Sequence, residues 1–215
     1  MQKLMLLLIP ILFLFACEQN QTNSTKPETA PEDEQTPIAV KEQSTPDITR
    51  STFFMGDKSS AQFKGEGNEY ASYTLKTDYL YDHYVSTYED NGGTVMQRIY
   101  RISNDKITIV LEVAEAYETN NPTLEELDAM PDLKIYLAGP FDVGTKFDGW
   151  KIISTSDTLA TATQNFQDVI VIEKIEKESK IRKYFAKDFG EIKREFIMNT
   201  NGEENIISST FEKIM

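Results

Sequence analysis

The chain has 215 residues, with 22 Lys+Arg against 35 Asp+Glu, a formal net charge of −13, one histidine and one cysteine. So acidic a chain is unsuited to nucleic acid, which demands clustered Lys and Arg, and to docking on anionic lipid headgroups. A lone cysteine excludes an intrachain disulfide, so stability must come from a hydrophobic core, which about 165 residues are enough to build.

The chain opens with Met1-Gln2-Lys3 and then an apolar run over residues 4–16. The run is shorter than the roughly 20 apolar residues that a membrane-spanning helix needs. It has the form of a secretory signal instead: a positive charge, an apolar core, then a small residue before the cleavage point. Ala16 is that small residue, and Cys17 follows it directly. Leu14-Phe15-Ala16-Cys17 resembles the lipobox of bacterial lipoproteins. The resemblance implies cleavage between Ala16 and Cys17, acylation of the Cys17 thiol, and an extracytoplasmic domain held at the cell membrane. One acyl chain binds a membrane only marginally; the two or three chains of mature lipoproteins imply a permanent anchor. Residues 1–16 are thus read as a signal-peptide helix, 17–50 as the lipidated cysteine with a linker, and 51–215 as the folded domain.

From Glu18 onward the composition changes. Residues 18–37 hold no aromatic and no large aliphatic side chain, and Pro27, Pro31, Pro37 and Pro46 punctuate the stretch. Such a segment buries too little apolar surface to offset the entropy of ordering, which predicts a disordered tether. A coil of this length spans roughly 30 Å on average and about 100 Å at full stretch.

Beyond it the chain reads as strand after strand. Residues 69–77 alternate, with Ala71, Tyr73 and Leu75 on one face. Residues 79–88 are rich in Tyr and Val. Asp90-Asn91-Gly92-Gly93 supplies the positive φ that tight hairpins require. Residues 94–102 return as a partner, Ser103-Asn104-Asp105-Lys106 turns the chain again, and 107–117 form the next strand. Residues 118–131 break the pattern: Asn121-Pro122 reads as a helix entrance, Leu124, Leu127 and Met130 recur at helical spacing, and Pro131 ends the segment. Strands resume at 133–137, 147–154 and 158–164. Val169-Ile170-Val171-Ile172 is continuous, as in a strand covered on both faces. Residues 180–186, 191–199 and 205–214 complete the set, the last two joined by Asn201-Gly202. Nine to eleven strands linked by short turns predict an all-β fold, an antiparallel meander forming a sandwich or a curved half-barrel, with one short helix.

Three segments carry a further resemblance: Phe63-Lys64-Gly65-Glu66-Gly67-Asn68-Glu69-Tyr70; Val143-Gly144-Thr145-Lys146-Phe147 with Gly149-Trp150; and Tyr184-Phe185-Ala186-Lys187-Asp188-Phe189-Gly190-Glu191-Ile192-Lys193. Together they resemble a group of uncharacterised lipoproteins from Bacillus-like, Gram-positive bacteria. The last is similar to a strand-turn-strand of several extracytoplasmic β domains, with Lys187-Asp188 where Pro-Gly stands in those. These are structural turns, and the resemblance implies a fold and a location but no activity.

The sequence offers little chemistry. A nucleophile needs a base beside it, and zinc wants several His or Cys ligands. His83 is the sole histidine and Cys17 is taken by the anchor, so no catalytic residue, metal site or cofactor is expected. Two carboxylates about 5–10 Å apart would serve glycosidase-like chemistry, but no pair among 35 acidic residues stands out. Gly65-Glu66-Gly67-Asn68-Glu69 and Asp90-Asn91-Gly92-Gly93 lack the ligand spacing of a calcium loop and read as turns. The tyrosine group Tyr70, Tyr73, Tyr79, Tyr81, Tyr84 and Tyr88 is the most suggestive feature. Tyr79 and Tyr81 are placed on one strand face and Tyr84 and Tyr88 on the other, unless a bulge intervenes, as aromatics for a ligand or simply as strand formers. The expected protein is therefore a monomeric, non-enzymatic, lipid-anchored binding or envelope-supporting module, with a protein, a wall polymer or an apolar ligand as partner. The alternative is a carrier with an apolar cavity between the inward faces of residues 107–113 and 169–172.

Overall fold

A computed structural model describes residues 48–119, 121–200 and 203–215. The signal segment, Cys17 and nearly all of the expected tether lie outside the described residues, as does the Asn201-Gly202 turn signal. Twelve strands are described: β1 Ser59–Glu66, β2 Tyr73–Tyr81, β3 Tyr84–Asp90, β4 Val95–Ile102, β5 Lys106–Val113, β6 Lys134–Ala138, β7 Lys146–Phe147, β8 Trp150–Ala160, β9 Asn165–Ile175, β10 Ser179–Ala186, β11 Gly190–Thr200 and β12 Glu203–Ile214.

The strands make one antiparallel sheet in the order β6-β5-β4-β3-β2-β1-β12-β11-β10-β9-β8-β7. Every neighbour is a neighbour in sequence except β1 and β12, which pair the two ends of the domain. The free edges, β6 and β7, are consecutive in the chain and meet across a seam, where the Ile135 N–H donates to Asp148 Oδ2 at 3.2 Å. The sheet curls into a nearly closed barrel, the curved single sheet rather than the two-layer sandwich.

The elements differ from the sequence reading in instructive places. β1 precedes the first expected strand, and Glu69–Ala71 is a single 3-10 turn capped by Asn68, whose Oδ1 accepts from the Tyr70 N–H at 2.7 Å. Residues 150–160, expected to fall in two strands, are one: β8 stays continuous through three register shifts against β9, each a bulge that bends the strand instead of ending it. A further shift between Tyr79 and Tyr81 turns these residues to opposite faces, so they do not share one as expected. Tyr79 packs on the inner core, and Tyr81 on an outer cluster. The reading of residues 169–172 holds. Ile170 and Ile172 join one apolar cluster and Val169 and Val171 another.

Two short helices matter to the site. Helix α1, Arg50–Phe53, leads Phe53, Phe54 and Met55 into the interior. It docks on the β10–β11 turn, where the Asp188 N–H donates to the Thr52 carbonyl at 3.0 Å. Gly190 has φ +78°, and a Cβ there would lie 2.4 Å from the Phe53 carbonyl oxygen, so only glycine admits α1. Phe53, Phe54, Tyr100, Phe141 and Phe185 pack ring on ring at this end and close it. Helix α2, Leu124–Ala129, starts at Thr123 rather than at Asn121. Thr123 and Glu126 form a reciprocal capping box, with Glu126 Oε2 accepting from the Thr123 N–H at 2.8 Å. It covers the outside of β3–β5, with Leu127 against Tyr84, Ile99 and Val110. The Arg101 guanidinium donates to the carbonyls of Leu127 and Met130 at 2.7 and 2.9 Å, satisfying groups that a helix end leaves orphaned.

Candidate functional site

The interior is layered along the barrel axis. At the closed end the inward residues are apolar: Ile102 and Tyr100 on β4, Ile107 and Ile109 on β5, Ile170 and Ile172 on β9, Phe185 on β10. Further along the barrel axis the inward positions carry charge: Glu89 on β3, Arg98 on β4, Glu112 on β5, Lys134 on β6, Lys183 on β10, Glu191 and Arg194 on β11. Beyond that layer the barrel stays open as a cleft of ≈ 530 Å³, within the size range of small-molecule sites. The charged layer is its floor. Tyr136 and Trp150 stand on one wall, Ile181, Phe196 and Ile207 on another, and Tyr70 at the mouth.

Gly65 shapes that mouth. A Cβ on it would lie 2.2 Å from the backbone of Ala71, so the 3-10 turn presses directly onto β1. Ser209 Oγ, in the cleft wall, donates to the Ala71 carbonyl at 2.7 Å and fixes the turn from the other side.

The floor is one ion-pair network that ties opposite walls together. Arg194 on β11 donates through both terminal nitrogens to Glu89 on β3, each at 2.9 Å. Arg98 donates to Glu89 at 3.0 Å and to Glu112 at 2.8 Å. Lys134 donates to Glu112 at 2.6 Å. Glu191 accepts from Arg194 Nε, from Lys183 at 2.9 Å and from the Tyr136 hydroxyl at 3.0 Å. Burial alone would push the Glu191 carboxyl up, but Arg194 and Lys183 outweigh it and bring the pKa down to about 2. Glu89 is lowered in the same way: Arg194 and Arg98 overcome its burial. Burial lowers Lys183, with Glu191 opposing, and raises the Tyr136 hydroxyl well above its ordinary value. Removing charges from water is costly, and partners in good geometry return that cost.

Exposure within the network is uneven. The Lys183 side chain is 21% exposed against 5% for Glu191, and Arg194 is 31% exposed against the same 5%. Arg98 exceeds Glu89, at 21% against 14%, and Lys134 exceeds Glu112, at 46% against 28%. Arg98 is less exposed than its other partner Glu112, at 21% against 28%, so cations lie over buried Glu191 and Glu89 while Glu112 reaches the cleft surface. Lys183 Nζ also sits 4.7 Å from the Tyr136 ring centre and 5.7 Å from that of Trp150, within cation–π range of both.

The residues singled out from the sequence lie elsewhere. Tyr84 is fully buried beneath α2, its hydroxyl donating to Asp128 at 2.9 Å and accepting from Arg101 Nε at 2.8 Å. Tyr88 is buried, its hydroxyl accepting from Gln97 Nε2 at 2.8 Å. Tyr79 and Tyr81 are half-buried in packing, and none of the four lines the cleft; Tyr70, of the same group, does. His83 lies on the β2–β3 turn, its ring 4.6 Å from Tyr84 and its Nε2 3.7 Å from Asp128. Asp90 and Asn91 use their side-chain oxygens on backbone N–H groups of their own turn. Of the apolar cavity expected between residues 107–113 and 169–172, only Ile109 and Glu112 border the open space, and no residue of 169–172 does. Ile107, Ile109, Ile170 and Ile172 fill the interior there with Phe54 and Phe185. Cys17, Ala16 and Leu14 lie outside the described residues.

The cleft residues had a signal. Ile181-x-Lys183-x-Phe185 and Ile192-x-Arg194-x-Phe196 each place a cation between two apolar residues on one strand face. A charge at an inward position is rarely idle, because burying it requires a partner.

Fold and site together define an all-β meander barrel, closed at one end by aromatic packing and open at the other onto a charged floor. No family model matches the chain, and no curated protein matches it. A solved structure from Bacteroides fragilis, described as that of an inferred exported protein with a YmcC-like fold, aligns with 78% of this chain and 100% of its own, at 12% identity and a TM-score of 0.46.

Proposed function

We propose that the protein is a lipid-anchored, extracytoplasmic binding module that takes a small ligand into the barrel cleft and catalyses nothing. One observation carries the binding half: an open, preformed cleft of ≈ 530 Å³ with aromatic walls and a charged floor. The anchor half rests on Leu14-Phe15-Ala16-Cys17 and the proline-punctuated stretch after it. Two features support the combination. Ile48 packs at the closed end, where its N–H donates to the Asn104 carbonyl at 3.2 Å, and not at the mouth. The floor carboxylates are also poor general acids: Glu191, with its pKa near 2, carries no proton at neutral pH. A purely apolar ligand gains less support, since it would strand the donors of Lys183 and Arg194 without water.

Native mass spectrometry of the full chain, released gently from the membranes of its own host, tests both halves in one spectrum. The expected species begins at an acylated Cys17 and carries a small molecule that leaves on activation. A chain that retains residues 1–16 with an unmodified cysteine contradicts the anchor. A lipidated chain free of any adduct across growth conditions contradicts the binding role.

A further inference from the structure

We infer that the ligand is an amphiphile bearing one carboxylate or phosphate, which Lys183 and Arg194 receive on the cleft floor while its ring or chain lies against Tyr136 and Trp150. This rests on the reading of the cleft as a ligand site and specifies what enters it.

The first ground is the unused hydrogen-bonding capacity of the floor. An ammonium has three N–H donors and a guanidinium five. Lys183 directs one to Glu191, and Arg194 directs three to Glu191 and Glu89, so both keep donors in hand. The carboxylates are committed: Glu191 accepts from three groups and Glu89 from both arginines. A cationic ligand would have to break these pairs. An anion adds to them.

The second ground is burial. In the pairs around Glu191 and Glu89 the cation is more exposed than its carboxylate, most clearly for Arg194 and Lys183 over Glu191, while Arg98 and Glu112 are the reverse. The floor around Glu191 and Glu89 therefore turns cations toward an entering molecule, with Glu112, Asp148 and Glu195 elsewhere in the lining, in a chain whose net charge is −13. Low-dielectric walls concentrate that local field. An anionic acceptor at Lys183 also offsets, through its charge, the burial that lowers this ammonium.

The third ground is the geometry of the walls. Lys183 Nζ lies within 6 Å of both the Tyr136 and the Trp150 ring centres. A group bonded to it brings whatever it carries against those rings, and Ile181 and Ile207 continue the apolar surface toward the mouth. A carboxylate and a phosphate are read alike here, whether from a free metabolite or from a lipid fragment.

Trp150, the one tryptophan of the chain, makes the site readable. The probe is 8-anilinonaphthalene-1-sulfonate, whose sulfonate stands in for the carboxylate or phosphate, compared with the neutral N-phenyl-1-naphthylamine. Energy transfer from Trp150 in the full chain reports binding in the cleft, and unchanged near-UV circular dichroism guards against dye uptake by loosened states. The sulfonate should bind saturably, one per chain, about tenfold more tightly than the neutral dye, as for one charge-assisted contact. Lys183→Met should lower sulfonate affinity by about tenfold and leave the neutral dye within about twofold. Lys134→Gln, which removes the most exposed cation of the floor pairs while keeping a donor for Glu112, should weaken the sulfonate alone by about threefold. Equal binding of both dyes, unmoved by either variant, overturns the anionic ligand while the cleft stands as an apolar site. Quenching of Trp150 by neither dye overturns the cleft as a ligand site altogether.

Discussion

The two ends of the barrel are built from the same strands and solve opposite problems. At the closed end β4, β5, β9 and β10 turn Tyr100, Ile107, Ile172 and Phe185 inward, and apolar packing with α1 excludes water. One register step along, β4, β10 and β11 turn Arg98, Lys183 and Arg194 inward, and ion pairs take over. Apolar packing is non-directional and tolerates repacking. A buried charge needs its own partner at its own distance. The difference teaches that the cleft is a place where the fold gives up apolar burial, and that its floor is held by specific pairs instead of by area.

Breaking the floor should do the most damage. Arg194→Met leaves Glu89 and Glu191 each without a principal partner, and urea unfolding should show a loss of about 3–5 kcal/mol. Ile107→Ala attacks the closed end at a fully buried residue outside the cleft lining. It should cost about 3–4 kcal/mol through the void it leaves while leaving dye binding at the other end in place, which separates stability from site. Acid sharpens the contrast further. Glu191 has a folded pKa of about 2, below the ordinary 4.5, so the folded state binds its proton less tightly than the unfolded chain does. Its contribution, of order 3 kcal/mol, is complete above about pH 4.5 and disappears as pH falls toward 2. A stability–pH profile of Glu191→Gln should be flatter than the parent's across that window. The smallest effect lies outside both regions. Thr123→Ala removes the cap of α2 and should lower the unfolding midpoint by the equivalent of about 1 kcal/mol, with the cleft untouched.

Much of the fold was legible because turns announce themselves. Asp90-Asn91-Gly92-Gly93 and Ser103-Asn104-Asp105-Lys106 stand at hairpins, and the run at residues 169–172 gave away a strand covered twice. What escaped was what has no local signature. The bulges at Tyr79–Tyr81 and along β8 depend on the neighbouring strand, so they exchanged faces and merged two expected strands into one. Residues 69–71 look like strand by alternation, but Asn68 caps a turn there. Thr123-x-x-Glu126 was a readable capping box passed over for the proline beside it. The site was hidden for a different reason. The tyrosines drew attention by number, yet Tyr84 and Tyr88 serve the outer face under α2 and its flanking loop. Lys183 and Arg194 drew none, because each is one cation in an ordinary alternating strand. Only the curl of the sheet brings Glu89 and Arg194, 105 residues apart, to 2.9 Å.

The central claim is that the open end shows cations above buried carboxylates. Collisional quenching of Trp150 by iodide and by caesium, at matched ionic strength and normalised to free N-acetyltryptophanamide, tests it most directly. Iodide should quench the more strongly, against the expectation from a net charge of −13, with the preference lost in Lys183→Met. Stronger quenching by caesium would show that the cleft carries the acidic character of the chain as a whole, and would contradict the account.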